Sequence, residues 1–175
     1  MISNASPLIN FAKLNRLELF AKCFGTIEIT EGVLDEVVKK ESFAQEAQLL
    51  NKQIAQQKIL VKKLNAEYSN KAEQFRNVFK LGTGESEAIA LALQEGASDV
   101  LIDDSEGREA AELNGLNSVG SLRVLLLAFN KGIEDDAEVL KIFRKMIENK
   151  FWISGEITVT FLQLFEKLKK SKQKQ

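Results

Sequence analysis

The chain of 175 residues carries 24 Lys+Arg against 25 Asp+Glu, with 45% hydrophobic and 28% charged residues, which suits one folded domain and excludes a disordered or fibrous class. A net charge of −1 gives no overall pull toward nucleic acid, and the absence of histidine excludes Ser-His-Asp, Cys-His and His-bearing zinc chemistry. No apolar run reaches the roughly 18 residues of a membrane span, Met1–Ser6 lack the pattern of a signal peptide, and the single Cys23 cannot close an internal disulfide, so a reducing, cytoplasmic setting is expected.

Ser6-Pro7 reads as a helix N-cap followed by proline, and Leu8, Ile9, Phe11, Ala12 and Leu14 then keep helical spacing. A second helical piece from Leu17 to Phe24 stops at Gly25. Residues 26–30 (TIEIT) form a β-rich run that leads into a helix from about Glu31 to Lys40. A segment rich in Gln, Lys, Ala and Leu predicts one helix over 42–58, followed by a short edge strand at Ile59–Val61 and a polar helix over 65–80. In the second half, an Ala/Leu/Ile-rich helix from Gly84 to Glu95 is broad enough in its apolar face to be buried. Val100-Leu101-Ile102 reads as a buried parallel strand, Ser105–Asn114 as a helix and Ser118-Val119 as another strand. Ser121 then caps an apolar helix over 122–130, and helices follow over roughly 136–149 and 156–170. Strands alternating with helices in this way predict an α/β domain over 1–168 with a central parallel sheet, and a basic, unstructured tail over 169–175.

Open parallel sheets build their sites beyond the carboxyl ends of the strands. Oxygen donors occur there or in the helices that follow: Asn4 and Ser6 after Ile2, Glu36 in the helix after TIEIT, and Asp103 and Asp104 directly after Val100-Leu101-Ile102. Glu85 opens an otherwise apolar helix, whereas Glu87 in the same turn reads as an acid that merely offsets the helix dipole. Asp104 or Ser105 also suits an ordinary N-cap, as do Asp135-Asp136. With no histidine and one cysteine, any metal must be held by oxygen, which points to magnesium or manganese.

The segments SNASPLI (3–9), VLDEVV (33–38), GTGESEAIALALQEGA (82–97), VLIDDSEGR (100–108) and VGSLRVLLLA (119–128) resemble the PIN-domain family, most of all the PIN-like branch related to VapC-type toxin ribonucleases. That resemblance implies a three-layer α/β/α fold and an acidic cluster that binds Mg2+ or Mn2+. The implied activity is that of an endoribonuclease, a hydrolase of RNA phosphodiesters, and many members are toxins neutralised by a small antitoxin. Carried over by position, the acids fall on Glu36, Glu85 and either Asp103 or Asp104, all counted as candidate catalytic residues and metal ligands. Asn4 stands where the family has its first acid, with Ser6 as the accompanying hydroxyl supporting the ligands, and Arg108 matches a basic residue placed to contact substrate phosphate. RNA, an antitoxin-like protein and a second copy of the chain are the partners so implied; a membrane is not.

Asparagine at position 4 keeps one ligand oxygen but removes a negative charge. Two readings therefore stand side by side: a working metal-dependent ribonuclease, and a catalytically silent PIN-like module that binds RNA or protein. With no histidine, a leaving oxygen would take its proton from water, a lysine or a protonated carboxyl. Lys13 and Arg16 join Arg108 as candidate phosphate contacts. A receiver-like phosphoacceptor would need its acidic pair after the first strand, and a haloacid-dehalogenase phosphatase needs Asp-x-Asp there; Asn4-Ala5-Ser6 offers neither.

Overall fold

The computed structural model describes residues 1–151 and 153–173. Short apolar strands leave the chain at regular intervals: β1 (Ile2–Ser3), β2 (Ile27–Thr30), β3 (Ile59–Lys62), β4 (Asp99–Leu101) and β5 (Asn117–Val119). Between them run α1 (Ala5–Lys13), α2 (Glu18–Phe24), α3 (Glu31–Val38), a 3-10 turn (Glu41–Phe43), α4 (Ala44–Ala55), α5 (Ala66–Phe79), α6 (Thr83–Gln94) and α7 (Ser105–Leu113). After β5 come α8 (Ser121–Asn130), α9 (Asp136–Glu148) and α10 (Gly155–Lys172).

All strands pair in parallel in the order β3-β2-β1-β4-β5. The register sets Ser3 beside Leu101 and Leu101 beside Val119, so the chain leaves β1, β4 and β5 at one level. With the right-handed crossovers usual for parallel strands, this order sends the connections from β1 to β2 to β3 over one face and those from β3 to β4 to β5 over the other, a three-layer α/β/α arrangement. The direction of travel reverses between β1 and β4, and that switch point opens a crevice at the carboxyl ends of the strands.

The chain divides into two compact units, Met1–Ser121 and Leu122–Gln175. In the first, Ile2, Ile27, Ile29, Val100 and Leu101 are buried from both sides, as strands of a covered parallel sheet must be. Leu8, Phe11, Leu19 and Phe20 are equally buried, with the Phe11 and Phe20 rings 4.6 Å apart, so the stretch from Leu8 to Phe24 contributes core. Helix α6 is buried along Ala88–Ala92 because it lies across β2, β1 and β4. In the second unit, Phe143 stacks on Phe161 at 4.4 Å and Phe129 meets Phe165 edge-on at 4.9 Å. A groove there is lined by Leu126, Leu127, Ile157 and Leu164.

Several expectations shift. The first helix begins at Ala5 with Asn4 as N-cap, so Pro7 occupies its third position; a proline fits anywhere in a first turn, whose N–H groups have no intrahelical acceptor. The segment expected as one helix over 42–58 is a 3-10 turn followed by α4, which ends at Ala55. The lysines expected in an unstructured tail extend α10: Lys169, Lys170 and Lys172 are helical, and Lys169 pairs with Asp136 at 3.2 Å. Of that tail, residues 174–175 lie outside the described residues. No helix among the described residues is long and apolar enough to cross a membrane.

Candidate functional site

Asn4 is the first residue beyond β1 and is 1% exposed; its backbone N–H donates to Leu101 O at 3.0 Å, which locks it beside the end of β4. As an N-cap its side chain would ordinarily accept the N–H of the second or third helical residue. The third is Pro7, which has no N–H, and the Asn4 Oδ1 atom is buried without a hydrogen-bond partner. A buried carbonyl oxygen left in that condition costs about 1–3 kcal/mol, so something outside the protein's own donors is its natural partner.

Glu36 and Glu85 are brought together by the glycine turn that opens α6. The N–H of Gly84 donates to Glu36 Oε1 at 2.7 Å, and the N–H of Gly82 donates to Glu85 Oε2 at 3.1 Å. A Cβ on Gly82 would stand 3.6 Å from both Glu36 Oε1 and Glu85 Oε2, which measures how closely the two carboxylates flank this turn. On its other side Glu85 faces the first turn of α7, 3.9 Å from where a Cβ on Gly107 would be. Burial pushes the Glu85 carboxyl above its ordinary range; the Gly82 N–H pulls it back, and the charges of Asp104, Glu36 and Glu106 push it further up.

The two adjacent aspartates do different things. Asp103 is part-buried and fully engaged: Oδ1 accepts from the Ser121 N–H at 2.7 Å, and Oδ2 accepts from the Ser121 hydroxyl at 2.7 Å and the Asn10 amide at 3.0 Å. Burial raises its carboxyl, opposed by those donors and by the charge of Arg108. Asp104 is exposed and caps α7, its Oδ1 accepting from Glu106 N–H at 3.0 Å and Gly107 N–H at 3.3 Å. The sequence offered cap and ligand as alternatives for this residue; the structure shows the cap, made through one oxygen.

Ser6 is half-buried in the first turn of α1. Arg108 is exposed, and its Nε donates to Ser118 Oγ at 3.2 Å, whose hydroxyl in turn donates to Glu112 at 2.6 Å. Arg16 lies 3.8 Å from Glu18, and Lys13 sits over the Phe43 ring at 5.2 Å. Glu87, read from sequence as offsetting its own helix, instead accepts the N–H of Gly32 at the start of α3, at 3.1 Å. Asn10 and the glycines at 82 and 84 escaped the sequence reading, and Ser121, expected as a cap, opens α8 and donates to Asp103, because each acts through a partner 18 or more residues away or through its backbone.

Every donor in this crevice is oxygen, yet among the described residues no three carboxylates stand close enough together to hold one ion as they are placed. Glu36 and Glu85 are each turned onto a backbone N–H. No curated protein matches the chain. The model of the DUF3368 family, described as a PIN domain, matches residues 1–167 and so takes in the whole sheet and every acid named above. Over that length a match settles kinship: the chain belongs to the PIN-domain family.

Proposed function

We propose that this protein is a divalent-metal-dependent nuclease acting on RNA phosphodiesters, with its centre formed by Asn4, Glu36, Glu85 and Asp104. PIN domains are a nuclease family and generally depend on a divalent metal. The observation that carries the reading to these residues is that Glu36 and Glu85 flank the glycine turn opening α6, where burial first, and the charges of Asp104 and Glu36 after it, hold the Glu85 carboxyl above its ordinary range.

The donors fit Mg2+ or Mn2+ in kind. Glu36, Glu85 and Asp104 would supply three negative charges to such an ion, and the buried Asn4 Oδ1 would supply a neutral oxygen. When bound, such an ion supplies Lewis-acid stabilisation of phosphoryl charge and activation of water. Asp103 has both oxygens engaged and serves better as the post that fixes the strand end against Ser121 and Asn10. Arg108, four residues past Asp104 and so on the same helical face, is placed to meet a substrate phosphate at the rim. In the toxin setting that the resemblance suggests, an antitoxin-like protein would cover this mouth, and the half-exposed leucines of α8 and α10 are the surface for a second copy.

Asn4 favours a second reading, a silent PIN-like module that binds RNA or a protein partner. Calorimetric titration with Mn2+, run beside an Asn4→Asp variant, separates them. Binding by the natural protein, with cleavage of an RNA oligonucleotide that stops on chelation, is the outcome expected of the nuclease. Binding only after Asn4→Asp favours the silent module, and no binding by either protein removes the metal reading.

A further inference from the structure

We propose that Glu87 is a positioning residue for the acidic site, acting through a reciprocal clasp between α3 and α6 that sets where the Glu36 carboxylate lies; the metal role of Glu36 rests on the function proposed above. Each helix contributes a carboxylate to the second amide of the other. Glu87 of α6 accepts from Gly32 N–H of α3 at 3.1 Å, and Glu36 of α3 accepts from Gly84 N–H of α6 at 2.7 Å. Both amides belong to the first turn, where no intrahelical acceptor exists, and the next one in α3 is taken by the Thr30 hydroxyl at 3.2 Å.

Both positions are glycine, and in both the carboxylate fills the space of the missing side chain. A Cβ on Gly84 would meet Glu36 Cδ at 2.8 Å, and one on Gly32 would meet Glu87 Cδ at 2.7 Å. Gly32 and Glu36 are four residues apart and Gly84 and Glu87 three, so each helix presents its amide and its carboxylate on one face. Helix α3 is seated by buried Val33 and Val37, and it carries Glu36 one turn beyond Gly32, whose amide the Glu87 carboxylate holds. Fixing Gly32 to Glu87 therefore fixes the direction in which Glu36 is delivered. Glu87 touches neither the Asn4 oxygen nor Asp104 and needs no contact with ligand to do this.

The test compares Glu87→Ala and Glu87→Gln with the natural protein by amide hydrogen exchange and by Mn2+ calorimetry. Glu87→Ala is expected to lose exchange protection at Gly84, an amide it does not itself contact, and to bind Mn2+ about 10- to 100-fold more weakly, the usual effect of removing a ligand's support. Glu87→Gln keeps an acceptor for Gly32 and is expected to restore both. Should Glu87→Ala fail to fold, Glu87→Asp, which keeps the charge and shortens the reach, carries the same expectations. Lost protection at Gly32 alone, with Gly84 and the Mn2+ affinity unchanged, would overturn the proposal. If the natural protein takes up no Mn2+, the metal reading fails by itself, and protection at Gly84 still decides the clasp.

Discussion

Replacing Asp103 with alanine would leave the Ser121 N–H, the Ser121 hydroxyl and the Asn10 amide without their acceptor. At about 1–3 kcal/mol for each buried group left unsatisfied, with the hydroxyl and amide free to reorient, a loss of about 3 kcal/mol is expected in urea unfolding. Asp104→Ala removes an exposed cap and should cost about 1 kcal/mol, while weakening Mn2+ binding far more than its effect on stability would suggest. The pair thus tests whether one aspartate serves stability and the other Mn2+ binding. Glu85 carries a sign that can be checked. Its folded pKa is raised, first by burial and then by neighbouring charge, so its ionised form penalises folding above that folded pKa, and the penalty vanishes below the unfolded value of about 4.3. Glu85→Gln should therefore raise Tm at neutral pH, lose that advantage at acidic pH, and bind Mn2+ weakly. A Tm that falls at neutral pH would contradict the penalty that burial places on the Glu85 charge.

At the scale of elements, the first turn of α1 joins local sequence to the site. Pro7→Ala would restore the third amide of the helix and offer the Asn4 oxygen its ordinary cap partner. That new bond, worth about 0.5–1.5 kcal/mol, must break before Asn4 can serve a cation, so Mn2+ binding should weaken roughly 2- to 12-fold. Unchanged affinity would mean that Asn4 takes no part in binding. The same turn marks where the sequence misled. Ser6-Pro7 carries the signal of cap and first helical residue, but hydrogen bonding of Asn4 to the end of β4 starts the helix two residues sooner. The polar segment 42–58 lacks an apolar stripe strong enough to mark its break, and the terminal lysines join α10 because Lys169 finds Asp136 and Lys172 finds the Phe129 carbonyl. Glu87 was misjudged for a related reason: its partner lies 55 residues away.

For the whole molecule, ligand linkage gives the simplest check. Mn2+ at 100 times its Kd should stabilise the folded protein by about 2.7 kcal/mol, a rise of roughly 5–11 °C in Tm that chelation reverses. Identical melting with and without the ion would rule out a site of useful affinity. By itself the sequence determined the alternation of short apolar strands with helices and the parallel sheet, because these follow from local periodicity and composition. Tertiary structure decided the rest. It divided the work between Asp103 and Asp104, placed Glu36 and Glu85 on either side of a glycine turn, and left one buried oxygen on Asn4 without a partner. Those outcomes depend on which amide comes within about 3 Å of which carboxylate, a distance set by the pairing of β1 with β4 and the packing of α3 on α6. Neighbours along the chain do not fix it.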